Sequence, residues 1–178
     1  MPRRKLCGWR TPSEYRLPEP EPGFLLANVL RANICGSDVH VWAGEHPILK
    51  SDIALGHEGV YAIEKLGAGV DTDYAGEPIK PGDRIVAPYF RTCHHCPACK
   101  RGDFPNCHNA YGHLSSHPDQ SPHFYGTLST HTILFPYQYF FKVPDALDNY
   151  LVSSINCAMA AVYFAIDRLG VGMGEYFV

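Results

Sequence analysis

A mainly β domain, a barrel or a sandwich followed by a C-terminal helix, is what this sequence predicts. Three observations carry that expectation. Short apolar segments recur between turn residues, in a chain with 16 glycines and 15 prolines among 178 residues. Four cysteines crowd into one stretch as C-x2-C-x2-C-x7-C, which needs a compact lobe of its own. After Pro144 the punctuation stops, and a long stretch free of Gly and Pro begins.

The elements follow in order. Pro12 to Gly23 holds four prolines and three glutamates and reads as an extended lead-in or a surface turn; residues 1–22 are set apart as that lead-in. Phe24 to Arg31 is apolar and strand-like. Asn33 to His40 is a loop passing into a short helix. Gly59 to Leu66 alternates as a strand does, and Gly67 and Gly69 mark the turn after it. Pro81-Gly82-Asp83 is a second turn, followed by a short strand from Arg84 to Ala87. Residues 92–108 form the cysteine lobe. Asn109 to Gly126 is loop. Thr127 to Phe135 and Tyr139 to Val143 are strands, so the β domain spans residues 23–148. Asn149 to Leu169 reads as one helix, stopped by Gly170, and its nearly continuous apolar residues imply burial on more than one side. Gly174 to Val178 begins another strand.

Composition narrows the function. The apolar fraction of 46% is ample for a core, and the net charge of −3 gives no attraction to nucleic acid or to an anionic membrane. The N-terminal Met1-Pro2-Arg3-Arg4-Lys5 is basic, but no apolar run follows it, so no secretory signal is expected. No segment has the apolar length of a membrane span. Seven cysteines, an odd number, without a signal point to a reducing compartment, the cytoplasm. There, clustered cysteines are metal ligands rather than disulfides. Cys7 is expected to be a free thiol.

Cys93, Cys96, Cys99 and Cys107 can close a tetrahedral thiolate shell around Zn²⁺, the geometry of a structural site. His94, His95 and His108 lie in the same lobe, but four sulfurs already complete the tetrahedron. Three further residues, Cys35, His57 and Cys157, are distant in sequence, and a lone Cys or His is more often a core residue. Their surroundings are more specific. Cys35 lies in Asn33-Ile34-Cys35-Gly36-Ser37-Asp38-Val39-His40, and His57 lies in Gly56-His57-Glu58. Gly67-x-Gly69-Val70, Gly82-Asp83-Arg84-Ile85-Val86 and the cysteine run then follow in order.

This ordered set resembles the zinc-containing medium-chain alcohol dehydrogenases, over nearly the whole chain from Gly23. The resemblance implies a GroES-like, partly open β-barrel with a structural zinc lobe. The helix and strand of residues 149–178 would lead toward a Rossmann domain. It implies Cys35, His57 and Cys157 as ligands of a catalytic zinc with an open position, and two zinc ions per chain. Asp38 matches a carboxylate that orients the His57 ring, and Glu58 matches one beside the zinc that can approach or replace a ligand. Ser37 and His40 match a relay that carries the alcohol proton to solvent; taken singly, Ser37 reads equally as a helix cap and His40 as an exposed polar residue. One departure is plain: the place that is usually glycine, three residues after the Glu, is Tyr61 here.

The implied reaction is hydride transfer between a small-molecule alcohol or carbonyl compound and NAD or NADP. The dinucleotide fingerprint G-x-G-x-x-G is missing, because Gly172-Met173-Gly174 precedes its strand and continues as Glu175-Tyr176-Phe177. The chain is therefore expected to be a truncated catalytic domain, inactive alone, with a homo-oligomer compatible with an exposed lobe. Residues 43–53 and 109–126 are expected to flank the substrate cleft. Two rivals stand beside this reading. One is a non-enzymatic zinc module, which for nucleic acid would need more than Arg91, Lys100 and Arg101 near the lobe. The other is a zinc-free reductase, which the retained cysteines and Gly-His-Glu disfavour.

Overall fold

The computed structural model describes residues 14–46, 53–172 and 174–175. Cys7 and the strand expected at the C-terminal end fall outside the described residues, apart from Gly174 and Glu175. Five strands build one antiparallel sheet: β1 (Leu25–Asn33), β2 (Glu58–Leu66), β3 (Arg84–Val86), β4 (His131–Leu134) and β5 (Phe141–Lys142). Their order is β4-β1-β2-β3-β5, so β4 and β5 are the two edges and the barrel is only partly closed. The register between β1 and β2 slips between Leu26 and Ala27 and again between Val29 and Arg31. Such irregularities bend a sheet around its core.

Alternation on β2 decides which residues go where. Tyr61 and Ile63 join Leu25, Ala27, Ile85, Ala87, Leu134 and Phe140 in the main core, with Ile79 from the loop before β3. Val60, one residue out of phase, faces the other way and packs with Val143 and Val152. The cysteine lobe has its own small core of Cys96, Ala98, Cys99, Cys107 and Ala110.

Strand lengths depart from the sequence reading at both edges. Only residues 131–134 of the segment expected as strand from Thr127 pair with β1. Residues 127 and 128 are drawn off instead to the chain around Gly56, through Thr127 N–H to the Gly56 carbonyl at 3.0 Å and Leu128 N–H to the Leu55 carbonyl at 3.1 Å. At the other edge Tyr139 packs tilted against Tyr74, ring centroids 4.0 Å apart, and pairing with β3 covers only Phe141–Lys142. The lead-in is tied down where it is described. Gly23 N–H bonds the Ala68 carbonyl at 2.9 Å, and Tyr15 stacks on His123 at 4.2 Å.

The single helix expected from Asn149 to Leu169 is broken. A short α3 (Asn149–Val152), capped by the Asp148 carboxylate, gives way to a π-helical turn at Ile155–Met159 and then to α4 (Ala160–Leu169). Two polar side chains account for the break. The Ser153 hydroxyl is 3.1 Å from the Asn33 amide and donates to the Tyr150 carbonyl, also at 3.1 Å. Asn156 turns inward to donate to the Ala87 carbonyl at 2.8 Å. The apolar run that implies two-sided burial is bare among the described residues: α4 has no buried residue, and Val162, Tyr163, Phe164 and Ile166 are exposed. Among the described residues no helix is long and apolar enough to cross a membrane.

Candidate metal centres and the cavity beside them

The first cluster is built by local turns. Helix α2 (Pro97–Lys100) starts at Cys96, with proline in its first turn. The surrounding backbone aims N–H groups at sulfur. Cys93 N–H and Asn109 N–H approach the Cys107 Sγ at 3.4 Å each, Cys96 N–H approaches the Cys93 Sγ at 3.4 Å, and Cys99 N–H approaches the Cys96 Sγ at 3.5 Å. The four sulfurs lie within 4.8 Å of one another and none is in a disulfide. Thiols so close cannot all ionise unaided. Burial and the neighbouring Cys107 and Cys96 push Cys99 up to about 12, while at Cys93 hydrogen bonds from Asn109, His95 and Cys96 outweigh burial and bring it down to about 5. A dication removes the conflict, so this donor set fits zinc. The three histidines of the lobe stand outside it: His94 bonds Thr92 at 2.9 Å, His95 bonds the Cys93 carbonyl at 2.6 Å, and His108 is exposed.

The second cluster is assembled from three places in the chain. Helix α1 (Gly36–Trp42) begins after Cys35, and the Asp38 carboxylate reaches back to accept the Cys35 N–H at 2.9 Å. This is helix-capping geometry, and it fixes Asp38. Its other oxygen accepts the Gly56 N–H at 3.0 Å and meets His57 Nδ1 at 3.2 Å. Gly56 is required here. Its φ is +89°, and a Cβ would come within 2.5 Å of the Leu128 nitrogen. With Nδ1 held by Asp38, the His57 Nε2 is left facing the cluster, 3.3 Å from the Ser37 hydroxyl. Glu58 opens β2, and Cys157 is carried in by the π-turn. Donor atoms of Cys35, His57, Glu58 and Cys157 lie within 4.8 Å of one another.

The electrostatics of this cluster ask for a cation. Burial, the Cys35 thiolate and the Glu58 carboxylate push Cys157 up to about 12. Burial also opposes ionisation of Cys35, Asp38 and His57. There it is outweighed: Ser37 and His57 lower Cys35, His57 and two backbone N–H groups lower Asp38, and Asp38 raises His57. Two thiols, a carboxylate and an imidazole so arranged fit one zinc ion.

The remaining predicted residues are placed as follows. Ser37 lies within the cluster. His40 stands one turn along α1 with its side chain 64% exposed, and its nearest ionic partner is Glu45 at 3.9 Å. Tyr61 is 2% exposed in the main core, packed over Gly59, where a Cβ would lie 3.0 Å from the tyrosine ring.

Beside the second cluster lies a cavity of about 180 Å³ lined by Ser37, His57 and Cys157 and by Val41, Leu55, Tyr89, Tyr111 and Leu114. Tyr89 sets its edge against the His57 ring at 5.1 Å and stacks with Tyr111 at 6.1 Å. Residues 109–126 flank the cavity as the sequence suggested, through Tyr111 and Leu114, and Ile53 does so from the other loop; 47–52 lie outside the described residues. Sequence reasoning missed Tyr89, and the signal was available in the aromatic pair Tyr89-Phe90 just beyond β3. It also missed Asn156, whose position next to Cys157 is what turns that ligand inward.

Comparison with known proteins shows the family. The profile of the alcohol dehydrogenase GroES-like domain matches residues 21–145. The chain belongs to that alcohol dehydrogenase family. It is 36% identical to a 5-exo-hydroxycamphor dehydrogenase of Pseudomonas putida over 90% of its own length and 44% of that protein. It is 32% identical to a probable D-xylulose reductase A of Aspergillus terreus over 71% of the chain and 33% of the relative. A crystal structure of an alcohol dehydrogenase from Thermotoga maritima superposes with a TM-score of 0.79 at 32% identity, covering 93% of this chain and 45% of the other. This alcohol dehydrogenase domain thus spans under half the length of the relatives it matches.

Proposed function

We propose that this domain is the catalytic half of a zinc-dependent alcohol dehydrogenase, acting on small-molecule alcohols or carbonyl compounds with NAD or NADP. The observation that carries the reading is the convergence of Cys35, His57, Glu58 and Cys157 around one point at the end of an apolar cavity. In this reading Cys35, His57 and Cys157 hold a zinc ion, and Cys93, Cys96, Cys99 and Cys107 hold a second, structural one. A zinc at the first site acts as a Lewis acid on a substrate oxygen. Asp38 fixes the His57 tautomer by accepting from Nδ1 and supports its basicity. In the same reading Ser37, beside His57, receives the substrate proton, and His40, exposed one turn further on, releases it to water. Glu58, buried beside the sulfurs, adds negative charge and a spare oxygen ligand.

The names of the relatives, a hydroxycamphor dehydrogenase and a probable xylulose reductase among them, support an alcohol or carbonyl substrate. Nicotinamide binding would require a nucleotide-binding domain, since no G-x-G-x-x-G follows a strand here. The test is cofactor reduction by the zinc-loaded chain with either nicotinamide and a panel of alcohols. Little or no turnover is expected from the chain alone, and turnover is expected once a nucleotide-binding domain is appended. Robust turnover by the chain alone contradicts this division of labour. Salt-dependent nucleic-acid binding would favour the interaction-module reading instead.

A further inference from the structure

The described lining of the cavity is of two kinds. Ser37, His57 and Cys157 belong to the metal cluster. Val41, Ile53, Leu55 and Leu114 are hydrocarbon, and Tyr89 and Tyr111 add aromatic rings that carry hydroxyls. His46 also lines the wall; it and Tyr111 each have an interaction of their own. The two tyrosines form an aromatic wall that starts at the His57 ring, with the Tyr89 and Tyr111 planes nearly parallel at 15° and their centroids 6.1 Å apart. The cavity, at about 180 Å³, is a little larger than an apolar cavity of about 150 Å³ that accommodates benzene.

We propose that this cavity takes an apolar, ring-bearing alcohol or ketone, with its oxygen at the Cys35–His57–Cys157 end and its hydrocarbon ring between Leu114, Leu55 and the tyrosine wall, and that it discriminates against polyols. A six-membered or small bicyclic ring fills the space and buries its carbons against like surface. A sugar alcohol brings several more hydroxyls, and most of the described wall is hydrocarbon or aromatic ring, which cannot pair them. Each hydroxyl buried without a partner weakens binding. This rests on the dehydrogenase reading for the role of the oxygen end, but the apolar preference belongs to the walls.

The experiment is titration of the zinc-loaded chain with cyclohexanol and with xylitol, read by ligand-observed NMR. Cyclohexanol is expected to bind at least ~10-fold more tightly, equivalent to about 1.4 kcal/mol. Leu114→Asn and Leu55→Asn, two separate variants in case either one misfolds, are each expected to shrink that ratio below ~3-fold with zinc content unchanged. Equal or tighter binding of xylitol, or an unchanged ratio in both folded variants, overturns the proposal. The two readings fail separately. If Cys35→Ser keeps all its zinc while the cyclohexanol preference stands, the metal assignment falls and the cavity assignment survives. If the zinc is lost as expected but xylitol competes equally, the reverse holds.

Discussion

Asp38 carries more of the site than any other single residue. It caps the start of α1, holds the backbone at Gly56 and orients His57. Asp38→Asn keeps the shape but loses the charge that favours the ligating tautomer. Zinc affinity at that site is expected to fall about 10- to 100-fold, measured by competition with a chelator, with the four-cysteine site unaffected. His113 offers a pH test away from the metals. It is 4% exposed, and burial together with the Arg91 charge lowers it to about 4. A depressed histidine is neutral in the fold, while the unfolded chain takes up a proton below about 6.5. Its contribution is therefore complete above pH 6.5 and is lost as the pH falls toward 4. Across that window the wild type is expected to lose about 3 kcal/mol more than His113→Phe in denaturant titrations. Equal losses would show that His113 does not titrate as its burial requires. The role of Asp38 beside His57 was legible through the motif, whereas the burial of His113 was not, because no local pattern announces that it is inside.

Elements were legible in proportion to how local their determinants are. The cysteine lobe, β1, β2 and the short helix after Cys35 follow from spacing and alternation, and the structure has them close to where the sequence puts them. Edge strands came out shorter because Thr127 and Leu128 bond the distant Leu55–Gly56 backbone. The long helix broke because Ser153 and Asn156 found partners on β1 and just beyond β3, at Asn33 and Ala87, which periodicity does not register. The segment leading into that region is anchored by one residue. Arg84 donates to the carbonyls of Leu147, Pro144 and Asp145 and to the Asn149 side chain. Arg84→Met is expected to cost about 2 kcal/mol in denaturant titration. It should also weaken zinc at the Cys157 site while sparing the lobe. A variant with unchanged metal binding at both sites would show that Cys157 is placed independently of this anchor.

At the scale of the molecule, one sheet serves two clusters of unlike construction. The lobe is made by a single continuous stretch with N–H groups aimed at sulfur, and it can form as a local unit. The other cluster needs α1, the Gly56 turn, β2 and the π-turn together. The first was readable from spacing alone, whereas the second emerged from the sequence only through its ordered motifs. The two should therefore fill and empty independently. Zinc content of the purified chain, beside Cys35→Ser, tests that claim most directly. The account predicts two zinc ions per chain in the wild type and one in the variant, retained by the four cysteines. Loss of both ions from the variant, or retention of both, would contradict it.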